Sequence, residues 1–248
     1  DVATVLVSHA VIEDARAGRN GGVLLARSSA LQLEHVTTNR TLAARGGVLA
    51  LRDAPSTSLV DVVVDAAEAR VAGGAVFFES PLDAFTPSPT ALRIQSATAG
   101  EFGPFFASAT RRATWLQGAA PTLRLWPGVV EASSAAEAVL EDSFNQTITT
   151  DDVTECHVTL ASSAQFALLG ANRFRASQGR VQLAGLGLRG PVGASVGAQL
   201  ECPILGGSLA TLPLTLEVRR PVGEFLWQPP FPAIPPSTAT DTVTLNRS

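Results

Sequence analysis

Glycine doublets recur in the first third of the chain at Gly21-Gly22, Gly46-Gly47 and Gly73-Gly74, 25 and 27 residues apart. Each opens a short apolar run: Val23-Leu24-Leu25, Val48-Leu49-Ala50-Leu51 and Ala75-Val76-Phe77-Phe78. A polar turn and a second strand-like run follow each time, at Ala30–Leu33, Ser58–Val64 and Ala91–Ile94. Thr4-Val5-Leu6-Val7 has the same character, which makes residues 1–20 the tail of an earlier repeat. Gly103-Pro104-Phe105-Phe106 reads as a degraded fourth opening. A self-similar period of roughly 20–50 residues marks stacked repeats, each burying its apolar face against the next.

The runs are short, β-branched and bounded by Gly, Ser, Asp and Pro, and none sustains a helical period. The Leu-x-x-Leu-x-Leu register of a leucine-rich repeat is absent. A parallel β-helix fits, with coils stacked at about 4.8 Å. A glycine pair at one shared corner suits it, because only Gly takes a positive φ freely and lets neighbouring backbones approach closely. The third repeat carries a Pro-rich excursion, Phe85-Thr86-Pro87-Ser88-Pro89-Thr90, expected to bulge as a loop.

The stretch Asn39-Arg40-Thr41-Leu42-Ala43-Ala44-Arg45-Gly46-Gly47-Val48 resembles the Asn-x-Ala/Thr-x-x-x-Gly-Gly-Ala/Val-Ile repeat of polymorphic outer-membrane-protein and adhesin-type β-helices. The likeness covers about residues 1–110 and implies a right-handed, pectin-lyase-like coil. The other repeats put Asp14 and Ala66 or Ala67 near the Asn position, so no full asparagine ladder is expected.

The glycine rhythm stops after Phe106, and a small, polar segment, Ala107–Thr114, closes the solenoid. Beyond it lie alternating runs at sandwich-like spacing, from Thr122–Trp126 through Val153–Leu160 to Leu214–Val218. The segments Glu141–Thr149 and Gly179–Gly190 resemble turn and strand patterns of Ig-like modules in surface adhesins. The expected organisation is all-β: a right-handed parallel β-helix over 1–114, an Ig-like β-sandwich over 115–220, and a Pro-rich extended tail over 221–248. The competing reading makes the later strands irregular coils of the same solenoid.

Composition removes several function classes. Of 248 residues, 46% are hydrophobic and 16% charged, which excludes a disordered chain. A net charge of −4 gives no electrostatic case for nucleic acid. No apolar run of about 18 residues exists, so no helical membrane span is expected in this segment. All 18 basic residues are Arg, and Tyr is absent, so the chain has neither lysine nor tyrosine chemistry at its disposal. Residues 1–5 lack an initiator Met and a basic leader region, so the chain reads as a piece of something longer, with further coils expected before Asp1.

Cys156 and Cys202 are the two cysteines, both in strand-like runs. A disulfide is the favoured reading, with two buried thiols or a catalytic Cys as alternatives. Cys156 and His157 are neighbours, so on a strand they face opposite ways and cannot form a nucleophile–base pair. Sequons stand at Asn39, Asn145 and Asn246. Together with a disulfide they point to an oxidising, secretory compartment.

β-Helices also carry polysaccharide lyases and hydrolases, which need clustered carboxylates. Asp53, Asp61 and Asp65 are the best candidates, but Asp61 and Asp65 on one strand would lie roughly 13 Å apart, too far for a dyad. Asp151-Asp152 reads as a turn pair. His9 and His35 are 26 apart and are expected to stack on adjacent coils without a third metal ligand. No catalytic, cofactor or metal residue is therefore expected. Trp115 and Trp126 flank the module boundary as candidate glycan contacts.

The resulting expectation is a structural or adhesive module of an extracellular or cell-surface glycoprotein, such as one of a cell wall or ciliary surface. Its partners would be other surface chains or glycans. A polysaccharide-active fragment and a lectin-like module are the alternatives.

Overall fold

The computed structural model describes residues 3–54, 56–80, 87–88, 90–132, 136–204 and 208–220. Phe85, Thr86 and Pro89 of the Pro-rich excursion lie outside the described residues, as does the Pro-rich tail with Trp227 and Asn246. In chain order the first strands are β1 (Ala3–Ser8), β2 (Val11–Glu13), β3 (Leu24–Arg27), β4 (Ser29–Glu34), β5 (Thr37–Arg45) and β6 (Leu49–Arg52). They continue as β7 (Thr57–Val60), β8 (Val62–Ala72), β9 (Val76–Phe78), β10 (Leu92–Ile94), β11 (Ala97–Ala99) and β12 (Phe106–Ser108). Every pairing among them is parallel, and they sort into three sheets: β1-β4-β7, β2-β5-β8 with β10 and β11 both on β8, and β3-β6-β9-β12. The chain therefore winds as a β-solenoid of about four turns.

Register explains the sequence pattern. Val5 stands over Leu31, Val7 over Leu33 and Leu33 over Leu59, so like residues stack inward coil after coil. With Val48, Leu49, Val62, Val64, Val76 and Phe78 they form one interior cluster. Thr38 and Thr41 also point inward, and their buried hydroxyls have no hydrogen-bond partner among the described residues.

The glycine doublets share one corner, and their two members answer different demands. The first takes φ of 68° at Gly21, 63° at Gly46 and 67° at Gly73, and Gly103 continues the series at 67°. The amide of the second donates to the coil above: Gly22 to Gly46, Gly47 to Gly73 and Gly74 to Gly103, each at 3.1 Å. A Cβ on Gly47 would overlap the Gly74 carbonyl oxygen, so this position requires the absence of a side chain.

Three further corners use left-handed residues that are not glycine: His9, His35 and Asp61; Asp14, Arg40 and Ala66; and Ser28 with Asp53, all with φ between 48° and 54°. Asp and His are among the residues that tolerate this region best. Two expectations change here. Ser58–Val64 is not one strand, because the chain turns at Asp61 between β7 and β8. The counterparts of Asn39 are Glu13 and Asp65, one position before the expected Asp14 and Ala66.

The remaining strands are β13 (Arg112–Trp115), β14 (Thr122–Leu125), β15 (Glu137–Glu141), β16 (Glu155–Leu160) and β17 (Ala167–Gly170). After them come β18 (Arg173–Arg175), β19 (Arg180–Gln182), β20 (Leu186–Arg189), β21 (Ser195–Pro203) and β22 (Leu209–Val218). They build sheets β13-β15-β19, β14-β22-β21-β16-β18 and β17-β20, antiparallel throughout except for β14 on β22. Antiparallel pairing sets aside the reading of these strands as more coils. The first of these strands, β13, begins at Arg112. Trp115, Leu140, Val158, Leu188, Leu200 and Leu216 belong to a single core fed by all three sheets.

Cys156 and Cys202 form a disulfide on the neighbouring strands β16 and β21, with Cα atoms 4.2 Å apart. In immunoglobulin domains the conserved bridge joins the two sheets. Here it ties two strands of one sheet.

Candidate binding surfaces

The residues that sequence reasoning weighed for chemistry lie mostly on the solenoid corners. His9 and His35 stack with ring centroids 4.9 Å apart, and His35 Nδ1 lies 3.2 Å from Asp61 Oδ2. At the next corner Arg40 grips Asp14 through Nε and Nη2 at 2.7 and 2.9 Å. That hydrogen bond and the guanidinium charge hold the Asp14 carboxyl below the usual aspartate range. Arg27 stands over Arg52, and Glu79 approaches both, at 3.5 and 3.8 Å. A coil period near 26 residues thus delivers opposite charges to one another, offsetting the repulsion that an in-register stack of like charges would create.

These ladders do not gather carboxylates. Asp61 sits at a corner beside His35, Asp53 at another beside Arg52, and Asp65 within β8. No group of three His, Cys, Asp or Glu side chains suited to a metal occurs among the described residues. Asp151 accepts the amides of Val153 and Thr154, and Asp152 that of Gln178, so the pair organises turns. Cys156 is buried, whereas His157 points the other way to Glu201 at 2.9 Å.

Asn39 lies in β5, next to the Arg40 corner, and Asn145 is exposed at a turn with φ 63°. Arg112 holds the Asn145 amide oxygen at 2.7 Å.

Between the modules lies a contact that sequence reasoning missed. The turn Asp142–Gln146 seats against the last coil: the Phe144 ring packs on Phe78 and Phe106 at 5.8 and 5.7 Å. Asp142 is fully buried and accepts the amides of Ser108, Phe144 and Gln146 and the Gln146 side chain. Burial pushes its carboxyl above the usual aspartate range, against the lowering effect of those amides. Gln146 also donates to the Phe106 carbonyl at 2.9 Å. The one local signal was a phenylalanine inside an otherwise polar turn. Beside this joint is a cleft of about 280 Å3, where Arg45 stacks 5.4 Å from the Phe77 ring.

The two tryptophans separate cleanly. Trp115 is 7% exposed and its indole donates to the Pro213 carbonyl at 2.9 Å, so it is a core residue. Trp126 is 37% exposed, with the Arg219 guanidinium 5.2 Å from its ring. Alternation along β14 could have told them apart, since Leu123 and Leu125 face inward while Arg124 and Trp126 face out.

No family model, curated protein or solved structure matches this chain. No helix among the described residues is long and apolar enough to cross a membrane.

Proposed function

We propose that the chain is a structural and adhesive module of an extracellular or cell-surface glycoprotein, holding a stiff solenoid in fixed register with an Ig-like β-sandwich that meets partner chains or glycans. The observation that carries this reading is the joint. Asp142 and Phe144 seat the second module on the last coil through buried hydrogen bonds and ring packing. Such a contact suits a rod that transmits orientation, and it covers coil edges that would otherwise invite strand addition. The Cys156–Cys202 disulfide favours an oxidising compartment. The exposure of Asn145 at its turn supports a solvent-facing glycan there.

The test is intact mass of the full chain secreted from eukaryotic cells, with and without glycosidase, reduced and unreduced. Expected are a glycan lost from the Asn145→Gln variant and one disulfide. A sugar-free chain with two titratable thiols would sink the extracellular placement. Turnover of an acidic polysaccharide, abolished by replacing Asp61 or Asp65, would favour the enzyme reading instead.

A further inference from the structure

Register places Trp126 at a particular end of the second module. Leu125 pairs with Val218, and Glu217 pairs with Ser195, whereas the joint with the solenoid lies at the opposite ends of these strands, near Pro203 and Glu141. The end remote from the solenoid therefore gathers Trp126 and the residues just after it, residues 190–194 before β21, and Arg219 and Arg220 after β22.

The groups collected there are unusual for this chain. Arg124, Trp126, Glu217, Arg219 and Arg220 line a depression of about 420 Å3. Arg219 lies over the indole and spends its Nε on the Arg124 carbonyl at 2.8 Å, while its backbone amide donates to the Leu125 carbonyl; its side chain makes no other hydrogen bond among the described residues. Arg124 meets Glu217 at 3.2 Å, and Arg220 forms no ion pair among the described residues. Three guanidinium groups thus face one lining carboxylate, on a protein whose net charge is −4. Val129, itself exposed, donates its amide to the Trp126 carbonyl at 3.2 Å.

We propose that this end binds a uronate-bearing saccharide, with Trp126 as the platform for a sugar face and Arg219, Arg124 and Arg220 as carboxylate contacts. The inference rests on the adhesive reading and names its ligand class. A guanidinium can meet a planar carboxylate with two parallel N–H donors, and with its Nε on the Arg124 carbonyl Arg219 has its two Nη groups left for that contact. An indole face takes the apolar side of a pyranose ring. The depression falls in the roughly 300–1,000 Å3 range of small-ligand sites.

The experiment titrates the full chain with an oligogalacturonate hexamer, its neutral methyl ester, a heparin-derived hexasaccharide and a poly-glutamate peptide, following tryptophan emission and thermophoresis. Oligogalacturonate should bind saturably and shift the emission, and the methyl ester should bind at least about tenfold more weakly. Trp126→Ala and Arg219→Gln should each weaken the acid form by about tenfold or more at an unchanged melting temperature. Trp126→Phe should keep most of the affinity while losing the emission change. Binding unaltered in Trp126→Ala and Arg219→Gln would overturn the proposal. So would saturable binding confined to the sulfated or peptide probe, or no binding at all. None of these results touches the glycan and disulfide masses that test the extracellular placement.

Discussion

The solenoid and the second module solve the same problem, burying one face of many short strands, by opposite means. In the solenoid each residue meets its own counterpart one coil away, so local sequence is copied: Gly over Gly, Leu over Leu, His over His. In the second module partners are far apart in sequence, as with Trp115 and Pro213, and a covalent bond reinforces the sheet. A copied architecture spreads each steric requirement along the whole stack, so one wrong side chain disturbs two coils. An architecture of unlike partners confines an error to one pair of strands.

The sharpest way to break that contrast is Gly47→Ala. The added methyl would collide with the Gly74 carbonyl and come within 2.9 Å of both the nitrogen and the oxygen of Glu68, all backbone atoms that cannot rotate away. A loss of about 4 kcal/mol or more is expected, at the upper end for single substitutions. Limited proteolysis should digest the solenoid and spare a fragment containing the Cys156–Cys202 bond. A melt within a degree of wild type would refute the close-stacking account of the doublets.

Removing the disulfide with Cys156→Ala and Cys202→Ala should act on the other module alone. A closed loop of 46 residues is worth roughly 4 kcal/mol in the loop-entropy description, and measured losses run about 2–5 kcal/mol. Denaturant titration should show the second-module transition move to lower concentration while the solenoid transition stays in place. Equal movement of both would mean that the two halves unfold as one unit.

Asp142→Ala tests the joint directly. It strips the acceptor from three amides, at Ser108, Phe144 and Gln146, only partly accessible to water. Leaving a buried donor unmade costs about 1–3 kcal/mol, so a total near 3 kcal/mol is expected after partial rehydration. The signature is weaker coupling: the gap between the second-module midpoint, followed at Trp115, and the solenoid midpoint should widen relative to wild type. A gap unchanged from wild type would remove Asp142 from the coupling.

How much of this was legible depends on how exclusive each demand is. The doublets could be read because their corner asks for a positive φ and then for no Cβ, and glycine alone meets both. The other corners were hidden because His9, His35 and Asp61 meet a positive φ at modest cost, so residue identity does not mark the turn. That is why the sequence pattern alone runs Asp61 into a strand and sets Asn39 against Asp14 and Ala66, one residue late. The 26-residue spacing of His9 and His35 was the signal that did survive. In the second module the disulfide was legible from two cysteines in strand-like runs, but its place within one sheet was not, because strand order is set by long-range packing. The seating of Phe144 was equally non-local. Trp126 was legible as a candidate, and only alternation with Leu123 and Leu125 could have chosen it over Trp115.

The smallest expected effect concerns the charged ladder of the solenoid, which has its parallel in the second module's cross-strand pair Arg173–Glu155. The Asp14 carboxyl is held low by Arg40, so its folded value lies below its unfolded one. A depressed carboxyl binds fewer protons in the folded chain, and its contribution is fully present above the ordinary aspartate value of about 3.9. It is lost as pH falls through the lower, folded value. Because both side chains stand more than half in solvent, the contribution should be slight and should shrink further with salt. Melting curves between about pH 6 and pH 2 should therefore show a slightly steeper acid loss in wild type than in Asp14→Asn, and the difference should vanish at high ionic strength. A difference that grows on acidification, or that ignores salt, would mean that Asp14 acts through the backbone of its left-handed corner and not through its charge.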